Sequence, residues 1–131
     1  KRDGYFAYRT LSEQLGKFTL VRHIFGADHP STGIQGFLFE NAFDKKLVVW
    51  NVEGQASAME FYDISNSSMA VDALGKLIVV KTFPAGRRQI QISSSPIYVT
   101  GKFLDNTNNI TIPNILNKPN TLKLNIKINN K

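Results

Sequence analysis

Hydrophobic positions recur along the chain in two rhythms. Over residues 5–17 they return at helical spacing, with Tyr8, Leu11 and Leu15 on one face and Arg9, Ser12 and Glu13 on the other. This predicts an amphipathic helix. Asp3 is placed to cap its start, and Gly16 stands where a left-handed residue would stop it. From Phe18 onward the rhythm shortens to runs of strand length at 18–25, 34–40, 47–52, 56–62, 77–82, 88–93 and 97–103. Turn-forming clusters separate them, among them Asp28-His29-Pro30-Ser31-Thr32-Gly33, Glu53-Gly54 and Pro84-Ala85-Gly86. Short strands on hairpin-sized loops require antiparallel pairing. The expected fold is therefore all-β, an antiparallel sandwich of immunoglobulin-like or jelly-roll-like form with one N-terminal α-helix.

Two kinds of strand are distinguishable. Arg88-Gln89-Ile90-Gln91-Ile92-Ser93 alternates strictly, which puts Ile90 and Ile92 on an inward face and leaves the other to water, as in an edge or surface-sheet strand. Leu47-Val48-Val49-Trp50 and Leu77-Ile78-Val79-Val80 are unbroken apolar runs, and predict strands covered on both faces. After Gly101 the character changes, with nine asparagines and two prolines before the end, yet Leu122-Lys123-Leu124-Asn125-Ile126-Lys127-Ile128 alternates cleanly. The expected organisation is a helix-plus-sandwich domain over 1–104, a linker over 105–120, and a terminal strand, or the start of a following module, over 121–131.

Composition narrows the class. A chain of 131 residues, 42% hydrophobic, with nine Phe, four Tyr and one Trp, carries enough apolar bulk for one packed domain. It has no cysteine, which removes disulfides and thiolate metal sites. No run approaches the length of a membrane-spanning helix, so no membrane partner is expected. The net charge of +6 is concentrated in the tail: five lysines and one aspartate lie after Gly101, leaving 11 basic and 9 acidic residues before it. Such dispersed lysines describe a solvated surface better than a nucleic-acid site, and no nucleic-acid partner is expected.

The search for chemistry is mostly negative. His23 and His29 lack the convergent donors of a zinc site. Among Glu40, Glu53, Glu60 and Asp63, no spacing selects the pair of carboxylates a glycosidase needs. Ser93-Ser94-Ser95 lacks the frame of a nucleophile elbow, and no glycine-rich phosphate loop follows a strand, so no cofactor is expected. What remains is aromatic and basic: Trp50, Phe61, Tyr62 and Tyr98 are the candidates for stacking on sugar rings or bases, and Arg87 and Arg88, beside a turn, either contact an anionic sugar or phosphate or form an exposed hairpin tip.

Several short segments carry a family resemblance: Tyr5-Phe6-Ala7-Tyr8-Arg9-Thr10-Leu11 followed by Leu15-Gly16, then Leu38-Phe39-Glu40 and Val48-Val49-Trp50. Together they resemble the end of clan A glycoside hydrolases, where the last helix of a catalytic (β/α)8 barrel runs into a C-terminal β-sandwich; Val71-Asp72-Ala73-Leu74-Gly75 and Ser95-Pro96-Ile97-Tyr98-Val99 look like its closing strands. The resemblance implies a non-catalytic accessory domain of a secreted enzyme, with a catalytic barrel or polysaccharide as partner and no catalytic residue to carry over. The competing expectation is an independent adhesion or protein-interaction sandwich that offers its terminal strand to a partner's sheet edge.

Overall fold

A computed structural model describes residues 3–25, 33–53 and 57–113, with side chains in the first segment from Arg9 onward. The helix α1 spans Asp3–Leu15. Nine strands follow among the described residues: β1 Thr19–Phe25, β2 Ile34–Glu40, β3 Lys45–Asn51, β4 Ser57–Tyr62, β5 Met69–Val71, β6 Leu77–Ile78, β7 Lys81–Thr82, β8 Arg87–Ile92 and β9 Ile97–Thr100. They form two antiparallel sheets, one in the order β1-β2-β3-β9-β5-β6 and a smaller one in the order β4-β8-β7. The described residues form the expected β-sandwich with one α-helix.

Alternation along each strand builds the core. Ile34, Leu38, Leu47, Val49, Ile97, Val99 and Ala70 turn inward from the large sheet, and Met59, Phe61, Ile90 and Ile92 from the small one. Gly36 keeps the β1–β2 pairing close, because a Cβ there would lie 2.6 Å from the Phe25 ring. Three strands do not cover six, and the segment after β9 closes the gap. Phe103, Leu104 and Ile110 are buried in the same core, and the Phe103 ring stacks on Phe61 with centroids 3.8 Å apart. Thr111 and Glu60 exchange two backbone hydrogen bonds of 2.8 Å. The first part of the expected linker, through Thr111, is thus packed onto the sandwich, while residues 122–128 lie outside the described residues.

Three expectations change. The run Leu77-Ile78-Val79-Val80 is not covered on both faces: Leu77 and Val79 are 73% and 79% exposed, whereas Ile78 and Val80 pack on the core. The reason is topological, since the chain leaves the large sheet after Ile78 and enters the small one at Lys81, with one face to solvent throughout. Gly16 is not left-handed; its N–H still donates to Ser12 O at 2.9 Å as the helix ends at Leu15. Of the segment 71–75, only Val71 is strand, and the rest is a turn closed by the Asp72 carboxylate, which accepts from the N–H groups of Leu74 and Lys76. Strand β5 is too short for periodicity to reveal.

The turn after β4 is organised by a buried carboxylate. Asp63 accepts from Ser65 Oγ at 2.7 Å and from the Ser68 N–H at 2.8 Å. Burial by itself raises the pKa of such a group, but the hydrogen bonds from Ser65, Ser68 and Ser67 outweigh it and hold the carboxyl below its ordinary value.

Two outcomes follow. Phe103→Ala removes the ring that seals the gap between the sheets and should lower unfolding free energy by about 3–5 kcal/mol in urea titration. For Asp63 the folded value is depressed, so its stabilisation is complete above the unfolded value of ~3.9 and is lost as pH falls through the lower folded value. Asp63→Asn should therefore lose stability at neutral pH and show a shallower decline than wild type between about pH 5 and 2, as read from thermal melts across that range.

Candidate functional site

The small sheet presents its outer face to solvent. Register sets Tyr62 opposite Arg87 and Glu60 opposite Gln89, so alternate side chains of β4 and β8 gather there. Arg87 Nη1 lies 3.3 Å from Glu60 Oε1, and Gln89 Nε2 donates to Glu60 Oε2 at 2.8 Å. Gln91 Nε2 reaches Gln89 Oε1 at 3.4 Å, which extends the row of side-chain contacts along β8. The Arg87 guanidinium also sits over the Phe83 ring, 4.1 Å from its centroid. Beside it Tyr62 is 52% exposed. This face offers fixed donors and acceptors with a free aromatic ring, the combination by which proteins engage polyhydroxylated surfaces.

Not every candidate joins it. Phe61 is 1% exposed, because on a strand it must point opposite to Tyr62, and its ring belongs to the core rather than to a binding rim. Arg88 points away from Arg87 for the same reason and is half-buried. Its Nη1 donates to the carbonyls of Phe83 and Arg87, and its Nη2 to Asn66 Oδ1. Both arginines lie in strand β8 and not at a hairpin tip.

Trp50 and Tyr98 belong to the outer face of the large sheet. Trp50 is half-buried and forms the end of a row of parallel rings: His23 on Phe37 at 4.2 Å and Phe37 on Trp50 at 5.8 Å, drawn from β1, β2 and β3. His23 Nε2 also meets Gln35 Oε1 at 3.1 Å, so this exposed histidine is engaged in structure. Tyr98 is buried, and burial pushes its phenol above its ordinary value.

Helix α1 lies on this same outer face. Lys46 Nζ donates to Gln14 O at 2.9 Å and to Gln14 Oε1 at 2.7 Å, and stands over the Phe18 ring. Partial burial pushes the Lys46 ammonium below its ordinary pKa, with Asp44 acting in the opposite sense. Thr10 is 5% exposed, and its Oγ1 is 3.5 Å from where a Cβ on Gly75 would be. The side of the helix holding Thr10 and Gln14 therefore faces the sandwich. Leu11, 43% exposed, and Leu15 line an outward groove of about 330 Å³ with Ser12 and Gly16.

Sequence reasoning passed over Phe83, which is hidden beside a turn, and Phe37, which reads as ordinary strand filling. Among the described residues no cluster of three or more His, Asp or Glu side chains is placed to hold a metal, and no helix is long and apolar enough to cross a membrane.

No protein-family model matches the chain, and no curated protein sequence does. Among solved structures, it is similar to a family 39 glycoside hydrolase from the gut symbiont Bacteroides cellulosilyticus WH2, with a TM-score of 0.59 at 14% identity. The likeness covers 75% of this chain and 19% of that one, so the present chain shares its fold with about a fifth of that enzyme.

Proposed function

We propose that this chain is a non-catalytic accessory module of a secreted carbohydrate-active enzyme, which seats its helix against a catalytic (β/α)8 barrel and makes weak contact with polysaccharide. The observation that carries this reading is the fold shared with a minor part of a glycoside hydrolase. The helix supports it: Thr10 and Gln14 face the sandwich, and exposed Leu11 and half-buried Leu15 line an outward groove open to another surface. Carboxylates that would be examined first for catalysis are engaged in structure, Glu60 with Arg87 and Gln89, and Asp63 with its serines. For polysaccharide, the candidates named from the sequence that stay accessible are Tyr62 and Arg87 on the small sheet, with half-buried Trp50 on the large one.

The chain should not hydrolyse aryl glycosides or polysaccharides in a broad substrate panel. Turnover abolished by Glu60→Gln would overturn the reading. In affinity electrophoresis, at least one neutral polysaccharide should retard it. The double variant Leu11→Asp, Leu15→Asp should keep the wild-type melting behaviour to within about 0.5 kcal/mol and bind less of an apolar fluorescent dye. A collapse of stability would show that this face is already used internally, and would remove the docking role.

A further inference from the structure

The turn between β2 and β3 carries an unusual side chain. Phe43 is 90% exposed, although phenylalanine is among the side chains most often buried. It is held in place by its backbone: Asn41 Oδ1 accepts from the N–H groups of Phe43 at 2.8 Å and Asp44 at 2.7 Å, and Asn41 N donates to Asp44 O at 3.0 Å. A fixed turn presents the ring with little backbone entropy left to lose on binding.

Beside the ring lies a cleft of about 330 Å³, lined by Asp44, Lys45, Ser67, Lys102 and Asp105 and by the chain at Thr100 and Gly101. Its size falls at the small end of ligand pockets. Gly101 is required at its floor: it has φ 147°, and a Cβ would meet Ser68 Cα at 2.9 Å and the Phe103 ring at 3.0 Å. The walls are positioned as well. Ser67 Oγ accepts from Lys102 N at 3.0 Å and meets Ser65 Oγ at 2.7 Å, which the Asp63 carboxylate holds in turn. Lys45 Nζ pairs with Asp105 Oδ1 at 3.2 Å.

Two lysines against two aspartates leave the cleft without net charge, which gives no advantage to an anion. The lining supplies both donors and acceptors, and a sugar hydroxyl is both at once. An aromatic face at the mouth matches the apolar C–H face of a sugar ring. We propose that this cleft is a sugar-binding subsite that takes an uncharged sugar residue of an oligosaccharide, its ring laid on Phe43. The inference rests on the reading of the chain as a module of a carbohydrate-active enzyme, and gives its polysaccharide contact a place that the sequence did not mark.

The test is a titration of the full chain, followed through backbone amide resonances, with xylotetraose, cellotetraose and arabinotetraose, and with tetragalacturonate as the acidic counterpart. At least one neutral probe should shift amides of 41–45 and 100–105 saturably. Phe43→Ala, which retains the wild-type spectral dispersion, should bind it roughly tenfold more weakly, as the loss of one ring's burial requires, and Phe43→Trp should retain binding. Shifts centred on Tyr62, Arg87 or Trp50 with the cleft unmoved would overturn the subsite and leave the module's polysaccharide contact standing. Saturation by tetragalacturonate alone would overturn the neutral class. Silence with every probe would overturn the cleft altogether, with the docking role judged separately by the helix variants.

Discussion

Phe61 and Phe103 stack at the point where the small sheet meets the chain that follows β9, and the remaining architecture is arranged around that contact. A three-stranded sheet leaves part of a six-stranded one uncovered, so apolar surface must be closed by chain from elsewhere. Gly101 lets the backbone turn sharply enough for Phe103, Leu104 and Ile110 to enter, and Thr111 then pairs with the free edge of β4. With β4 fixed on both sides, its alternate residues have no freedom of direction. Phe61 goes in; Glu60 and Tyr62 go out to meet Gln89 and Arg87.

The helix departs from the usual logic of amphipathic segments. An isolated sandwich that used a helix as a lid would bury its leucines, yet contact here runs through Thr10, Gln14 and Lys46, while Leu11 faces outward. Among the described side chains of the helix, hydrogen bonds from Lys46 to Gln14 hold it to the sandwich and Leu11 stays exposed. The exposed Leu77 and Val79 on the chain crossing between the sheets add further apolar surface to the exterior. These exposed apolar side chains are the physical observations on which the proposed docking role rests.

Between the outer face of the small sheet and the cleft beside Phe43 runs the turn organised by Asp63. Its carboxylate holds Ser65 and Ser68, Ser65 meets Ser67 in the cleft wall, and Asn66 accepts from Arg88 behind the small sheet. A single buried charge, stabilised by several donors, thus sets the geometry on both sides of the loop. Substitutions there should be read as changes of position and not of chemistry.

Periodicity and turn chemistry were sufficient for the helix, most strands and the inward set, because a half-buried strand must alternate and Ile90 and Ile92 do so without exception. They did not reveal β5, which is shorter than any pattern, or the split of the run from Leu77 to Val80 between two sheets, since an apolar run looks the same whether covered on two faces or one. The candidate site was legible in its residue types and not in its grouping: alternation separates Phe61 from Tyr62 and Arg88 from Arg87, and only the register of β4 on β8 makes Tyr62 and Arg87 neighbours. Phe43 carried no signal at all, one more aromatic residue near a turn. Which residues prefer to be buried and where the chain turns are local properties of side chain and backbone, and these are legible in the sequence. Which outward residues meet, that Leu11 faces away from the sandwich, and that a polar cleft opens beside Phe43 all depend on contacts between segments distant along the chain, which local patterning does not encode.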